Sequence, residues 1–292
     1  DGLTGGVTYG AYSTDIGTDY AAQSGEDVFN VDGKNRVLDK DRSFDGNTAR
    51  IDLNYGLKLG QKGGFANITG EYLTKDRTLR PGFSWRKGYG SAAADQFQLM
   101  LNAAYPISEK SEIYLFGGYG NRATDAFAYS RSAAEEDERT VGTLYPDGFT
   151  PHITSDIIDN AVTTGFKHNF SGGWKANLSH TYGLNDFHYT ITGTNNASLG
   201  PKSPTSFDAG GHSLGMNVTS LDFTKYNKSV ASGLNLAFGA EFRSEKFKIF
   251  SGEEASYATY DVNGKAITDP ATQIPFENEF GVQAPGGSQG FP

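Results

Sequence analysis

The sequence predicts an all-β fold, an antiparallel transmembrane β-barrel segment of about nine strands with long extracellular loops. Three observations carry this expectation. Apolar and polar residues alternate with period two in one segment after another. The connections between segments are alternately short and long. No apolar run approaches the ~18 residues that a membrane-spanning helix needs, yet aromatics make up 13% of the 292 residues. Barrel strands keep mean hydropathy low because every second residue is polar, and the value here is −0.49.

Val7, Tyr9 and Ala11 mark a first strand. The clearest signal is TARIDLNYGLKL at 48–59. Successive strand side chains point to opposite faces. Ala49, Ile51, Leu53, Tyr55, Leu57 and Leu59 therefore share one face, and Arg50, Asp52, Asn54, Gly56 and Lys58 the other. After Gly60-Gln61-Lys62-Gly63, GFANITGEY repeats the pattern, with Ala66, Ile68, Gly70 and Tyr72 opposing Asn67, Thr69 and Glu71. Phe97, Leu99, Leu101, Ala103 and Tyr105 then oppose Gln96, Gln98, Met100, Asn102 and Ala104. Ile113 to Tyr119 reads as apolar on both sides, with Gly117 and Gly118. Val162, Thr164, Phe166 and Phe170 oppose Thr163, Lys167 and Asn169. Trp174, Ala176, Leu178, Tyr182 and Leu184 oppose Lys175, Asn177, Ser179 and Thr181. Leu214, Met216 and Val218 form a strand that changes phase at Leu221 and Phe223, a slip that a β-bulge would produce. Leu234, Leu236, Phe238, Ala240 and Phe242 oppose Asn235, Ala237, Glu241 and Arg243.

The short connections are Gly60–Gly63, Pro106–Ser111, Phe170–Gly173 and Tyr226–Val230, and the long ones are 13–46, 75–93, 122–157, 187–210 and 251–292. Outer-membrane barrels have tight periplasmic turns and long extracellular loops. Tyr55, Phe65, Tyr105, Phe170, Trp174, Phe223 and Tyr226 flank the short-turn ends, as an interfacial aromatic girdle would. An odd, open set of strands does not close as a single-chain bacterial barrel, and open edges in lipid leave backbone groups unpaired. A piece of a longer polypeptide is expected on that ground.

The same residues weigh against other classes. Cysteine is absent, which removes disulfides, thiolate nucleophiles and Cys-based zinc sites. A net charge of −9 disfavours nucleic acid as a partner. The chain opens on Asp1-Gly2-Leu3, without the pattern of a secretory leader. Gly211-His212-Ser213-Leu214-Gly215 matches a nucleophile elbow in letters, but strand residues follow where a helix is required. With Leu214 facing lipid, Ser213 would face the lumen. His152, His168, His180, His188 and His212 form no zinc-type pair; His180 lies on the apolar face. Asp39, Asp41 and Asp45-Gly46 resemble a calcium loop only loosely, because Arg50 stands where the closing Glu belongs. Glu135-Glu136-Asp137-Glu138 reads as a solvated loop face. The glycosylation triplets at Asn67, Asn177 and Asn217 fall within strands. No enzyme, cofactor or metal is expected.

Two groups of residues are expected to meet other molecules. The connection 75–93 is basic and aromatic, with Lys75, Arg77, Arg80, Phe83, Trp85, Arg86 and Lys87. Phe83, Trp85, Arg86 and Lys87 offer stacking and anion contacts for captured ligand. Packing on a neighbouring loop or on lipopolysaccharide phosphates is the competing use. Arg50, Asp52, Asn54, Lys58, Asn67, Thr69, Glu71, Asn235, Glu241 and Arg243 fall on the polar phase and are expected to face the lumen.

Several stretches together resemble the barrel of a TonB-dependent outer-membrane receptor. They are ARIDLNYGLKLGQKGGFANITGEY (49–72), SEIYLFGGYGNRATDAFAYSR (111–131), YPDGFTPHITSDI (145–157), NASLGPKSPTSFDAGGHSLGMNVTSLDFTKY (196–226), SGLNLAFGAEFRSEKFKIFSGEEASY (232–257) and PGGSQGFP (285–292). The resemblance implies a barrel of about 22 strands around an N-terminal plug. Residues 1–250 would be the first half of that barrel, and 251–292 an extracellular loop leading to the rest. It further implies residence in the outer membrane of a Gram-negative bacterium and import of a scarce solute: a siderophore, carbohydrate, peptide or vitamin. The implied partners are the chain's own plug and remaining strands, the TonB–ExbB–ExbD energy-coupling complex, membrane lipid and lipopolysaccharide, and a surface lipoprotein. No plug, TonB-contact segment or closing strand is present in these 292 residues. A passive porin-like channel, and a soluble β-sandwich or adhesin-type binding module, are the competing expectations.

Overall fold

The alternating segments pair in chain order as one nine-stranded antiparallel sheet. The computed structural model describes residues 2–15, 28–31, 34–37, 42–78, 90–131, 139–230, 232–269, 272–273, 277–278, 281–282 and 290–292. Strand β1 spans Gly2–Asp15, and a small separate hairpin follows from β2 (Val28–Val31) and β3 (Lys34–Val37). The sheet continues with β4 (Arg42–Leu59), β5 (Gly64–Lys75), β6 (Ala93–Pro106), β7 (Ser111–Phe127) and β8 (His152–Asn169). It ends with β9 (Trp174–Thr192), β10 (Ser206–Asn227) and β11 (Leu234–Ser251). Two-residue strands β12 (Glu277–Asn278) and β13 (Gly281–Val282) pair with each other. The spatial order is β1-β4-β5-β6-β7-β8-β9-β10-β11. All four short connections lie at one end of the sheet, and the strand ends that the long connections join lie at the other. Among the described residues no helix is long and apolar enough to cross a membrane.

Period-two patterning sets the register, because a slip of one residue would exchange the faces. Tyr55 lies level with Ile68, Leu101, Gly117, Val162 and Tyr182 across successive strands, ending at Asn217 on β10. On β4 that level is the middle of the apolar run. On β10 the apolar residues Leu221 and Phe223 lie nearer the short turn. The apolar band thus crosses the strands obliquely, as it does where strands are inclined to the axis of a curved sheet.

The apolar face is bare. Leu53 is 53% exposed, Phe97 45%, Leu236 43% and Phe242 71%. No described element covers them. The small buried core lies elsewhere, near the long-connection end, and contains Ile157, Ile191, Phe207, Ala197 and Tyr260. It joins the sheet to a body of three connections. Asn195 and Asn196, both fully buried, tie these together. Asn195 accepts from the Val141 amide and donates to the Arg139 carbonyl. Asn196 Nδ2 donates to the Ala255 and Ala258 carbonyls, each at 2.8 Å, and its Oδ1 accepts from the Ser198 amide and hydroxyl. Every hydrogen-bonding atom of the Asn196 side chain is therefore engaged away from water, as a buried amide requires.

Two expectations are corrected. No bulge separates Val218 from Leu221, because β10 runs in unbroken register from Gly210 to Asn227 against β11. The shift lies instead between Asp208 and Gly210, where Gly210 adopts a φ of 73°. Leu214 accordingly belongs to the polar face. Asp52, Glu71, Gln98, Gly120, Asp159, Asn185 and Leu214 stand level on seven neighbouring strands. Ser213 falls on the opposite, apolar phase, level with Asp186 and Lys248. The expected girdle also loses members: Phe65, level with Lys58 and Ala104, and Tyr226, level with Asn235, are on the polar phase.

Candidate functional site: the polar face of the sheet

Alternation brings the polar residues of distant segments onto one continuous face. Arg50 Nη2 lies 2.6 Å from Glu71 Oε2, and its Nε lies 3.8 Å from Asp52 Oδ1. Asn54 Nδ2 donates to Thr69 Oγ1 at 2.7 Å. Farther along, Lys167 Nζ meets Glu112 at 3.3 Å, Thr163 and Thr181 share a 2.8 Å hydroxyl contact, and Ser220 donates to Glu241 at 3.2 Å. Arg243 pairs with Glu245 along the same strand. These pairs are mostly solvent-exposed, so each is worth little in stability. Their effect is to hold charge and hydrogen-bonding capacity on one side only.

Register places Arg50, Asp52, Asn54, Lys58, Asn67, Thr69, Glu71, Asn235, Glu241 and Arg243 on this face together. In its middle runs a level of small residues, Gly118, Ala161 and Gly183, flanked by the two methionines of the chain, Met100 and Met216. Missing side chains leave a depression of about 750 Å3 beside it, lined by Asn67, Thr69, Gln98, Asn102, Phe116 and Asp159. Asn67 Oδ1 is enclosed there with no hydrogen-bond partner.

No protein family, curated protein or solved structure matches this chain. The reading of the face therefore rests on its own geometry.

Phe83, Trp85, Arg86 and Lys87 lie outside the described residues, as do Arg80, Asp39, Asp41 and the acidic run at 135–138. Arg77 is described, and its guanidinium is engaged. It pairs with Asp125, lies 4.5 Å from the Phe127 ring centre and approaches His152 Nδ1 at 3.4 Å. His152 in turn meets Asp125 Oδ1 at 2.9 Å. His180 stays on the apolar phase and satisfies its ring against Thr219 Oγ1 at 2.9 Å. Ser213 sits inside continuous extended backbone, not at a strand-to-helix turn.

The three-connection body has its own electrostatics. Burial pushes the Tyr145 phenol up. Burial, followed by the hydrogen bond to Glu254, pushes the Tyr260 phenol up to about 12. The Asp261 carboxyl is held below its ordinary value, first by the Lys265 backbone amide and then by that of Asn263 and by Gln273.

Pattern reading missed this body and a group of rings around His212, whose ring centre lies 5.4 Å from that of Phe187 and 5.9 Å from that of Phe247. The second had a visible trace: Leu214, Met216 and Val218 are apolar residues on the polar phase. The first had none, because a buried Asn pair in a long connection carries no periodicity.

Proposed function

We propose that this chain is barrel wall from a TonB-dependent outer-membrane receptor, with lipid against its apolar face and the solute path and plug against its polar face. The carrying observation is the bare apolar face opposite a charged one. Leaving a Leu or Phe side chain in water forgoes about 1.5–3 kcal/mol relative to burying it, and this face presents many such side chains in register. A soluble sandwich would set a second layer on that face, whereas the body of connections packs on the other. Lipid supplies the missing cover at no topological cost. The oblique path of the apolar band supports inclined strands, and the end-to-end asymmetry of the connections matches a barrel with short turns on one side. The receptor assignment, and import as its purpose, rest on the resemblance of the strand series.

The absence of cysteine makes the test direct. Single cysteines at Leu53, Leu99 and Leu236, and at Asn54, Thr69 and Asn235, are introduced into the chain folded in lipid vesicles. The first three should resist a water-soluble maleimide and react with a lipid-dissolved one. The second three should do the reverse. Equal labelling of both sets by the aqueous reagent would remove the membrane assignment, and import with it.

A further inference from the structure

The four short turns carry a charge opposite to that of the chain. Lys62, Lys110 and Lys228 lie in them, and Lys225 just precedes the last. Lys58, Lys167 and Lys175 stand beside the turns on the polar phase. The carboxylates within three residues of any turn are those of Glu109 and Glu112, and Lys167 already occupies Glu112. The whole chain has a net charge of −9, so its acidity is concentrated elsewhere. Lys62, Lys110, Lys225 and Lys228 make no ion pair among the described residues. Like charges gathered at one end repel one another unless an anion answers them.

The apolar face begins at the same level. Lys225 lies on that face, level with Trp174 and Leu236. Its Nζ is 5.6 Å from the Trp174 ring centre. Trp174 meets Phe238 edge-on at 5.5 Å, and Phe238 stacks on Phe223 at 5.3 Å. Lys225 is half-buried, as a lysine is when its stem runs along apolar surface and its head stays charged. Two of the turns also present apolar side chains beside their lysines: Ile107 is 51% exposed and Val230 43%.

We propose that this rim of lysines binds the headgroups of anionic phospholipid in the leaflet on the short-turn side. The charges are spread over four turns across the width of the sheet, not gathered in one patch. A lipid surface reaches all four turns together, and it is continuous with the hydrocarbon that covers the apolar face. Tryptophan and lysine side by side suit the level where hydrocarbon gives way to headgroups, and basic residues at that level attract anionic lipid. This inference rests on the apolar face meeting lipid, and it adds the class of lipid and the leaflet to that reading.

The chain has two tryptophans, so Trp85→Phe leaves Trp174 as the sole reporter. This variant is folded into vesicles that mix phosphatidylglycerol with phosphatidylcholine, one of the two carrying brominated chains that quench tryptophan. Phosphatidylglycerol should be preferred at Trp174 by at least about fivefold, the effect of one lysine near a charged surface. Lys225→Gln with Lys228→Gln should bring the two lipids close to equality, whereas Lys225→Arg with Lys228→Arg should keep the preference. Salt at about 1 M, where the screening length is ~3 Å, should abolish it. Equal quenching by both lipids in the Trp85→Phe chain would overturn the proposal and leave the lysines to an acidic protein, with the membrane reading intact. A preference that survives both glutamine substitutions would overturn it as well. A folded chain whose Trp174 is quenched by neither lipid would remove the membrane reading, and this inference with it.

Discussion

The Tyr114 hydroxyl donates a 3.0 Å hydrogen bond to Asn177 Oδ1 across the strand that lies between them. Tyr114 is on β7, Asn177 on β9, and Gly165 of β8 lies beneath the tyrosine ring. A Cβ at Gly165 would stand 2.2 Å from that ring. Lys167 Nζ covers the same ring at 4.5 Å. Gly165 is thus the passage that lets one side chain bind two strands away.

Gly165→Ala should displace Tyr114 and destabilise the sheet by about 1–3 kcal/mol, the usual range for overpacking. Tyr114→Phe removes only the hydrogen bond and should cost about 1 kcal/mol. Adding Gly165→Ala to Tyr114→Ala should cost much less than in the wild type, because the clash has gone. Denaturant unfolding of the four variants measures this; an equal penalty in both backgrounds would mean that the tyrosine is not the obstacle.

Asn196→Ala should loosen the three-connection body without opening the sheet. It removes both donors to Ala255 and Ala258 and leaves those carbonyls orphaned in a dry site, at about 1–3 kcal/mol for each unsatisfied group. Hydrogen exchange should accelerate at Ser198, Ser203 and Tyr260, whose amides or hydroxyls belong to this network. Amides in the middle of β4, β5 and β6 should keep their protection. A uniform rise across the sheet would show that the body and the strands unfold together.

The body should also respond to pH at both extremes. Tyr260 donates to Glu254 Oε1 at 3.0 Å, and its phenol is raised from 10.0 to about 12. A phenol raised on folding stabilises the fold below its unfolded value and loses that contribution as pH climbs through about 12. Asp261 is the reverse case. Its lowered carboxyl stabilises the turn above the ordinary value of 3.8 and loses that contribution as pH falls through the folded value. Tyrosinate absorbance should show a phenol titrating at about 12 that Tyr260→Phe abolishes, and Asp261→Asn should remove the acid limb of the body's protection profile.

A charge placed on either face should discriminate between them. Leu53→Arg near the middle of the apolar band should cost about 2–4 kcal/mol in a bilayer. Asn54→Arg, one residue along, should cost less than about 1 kcal/mol, because surface substitutions usually do. Folding titrations in lipid vesicles compare the two directly. Comparable costs would show that both positions meet the same medium.

The strands were legible because an apolar face opposite a polar one leaves a two-residue rhythm. TARIDLNYGLKL announces β4, and the same rhythm finds β5, β6, β9 and β11 with their faces correctly assigned. The rhythm misleads where a face changes character along a strand. Leu214 and Met216 are apolar on the polar side, since one adjoins the ring cluster and the other lies over Gly183. Read alone, they mimic a slip in phase. The hydrogen-bond partners of Asn195 and Asn196 were out of reach, because they lie in connections about sixty residues away and depend on tertiary closure. For the candidate face, the membership of Arg50, Asn54, Glu71 and Glu241 followed from spacing alone. The depression beside Gly118 did not, since it needs three small residues from three strands to fall level.

Every strand of the large sheet bonds only to its predecessor and successor among the nine. The sheet is therefore a series of hairpins in chain order, joined at one end by connections whose covalent continuity the pairing does not require. Two polypeptides divided between β7 and β8 should recognise each other through the seventeen paired positions from Ser111–His168 to Phe127–His152. Co-expression of such halves would rebuild the sheet by strand complementation. The same property makes these connections places where foreign sequence could be grafted while the register stays intact.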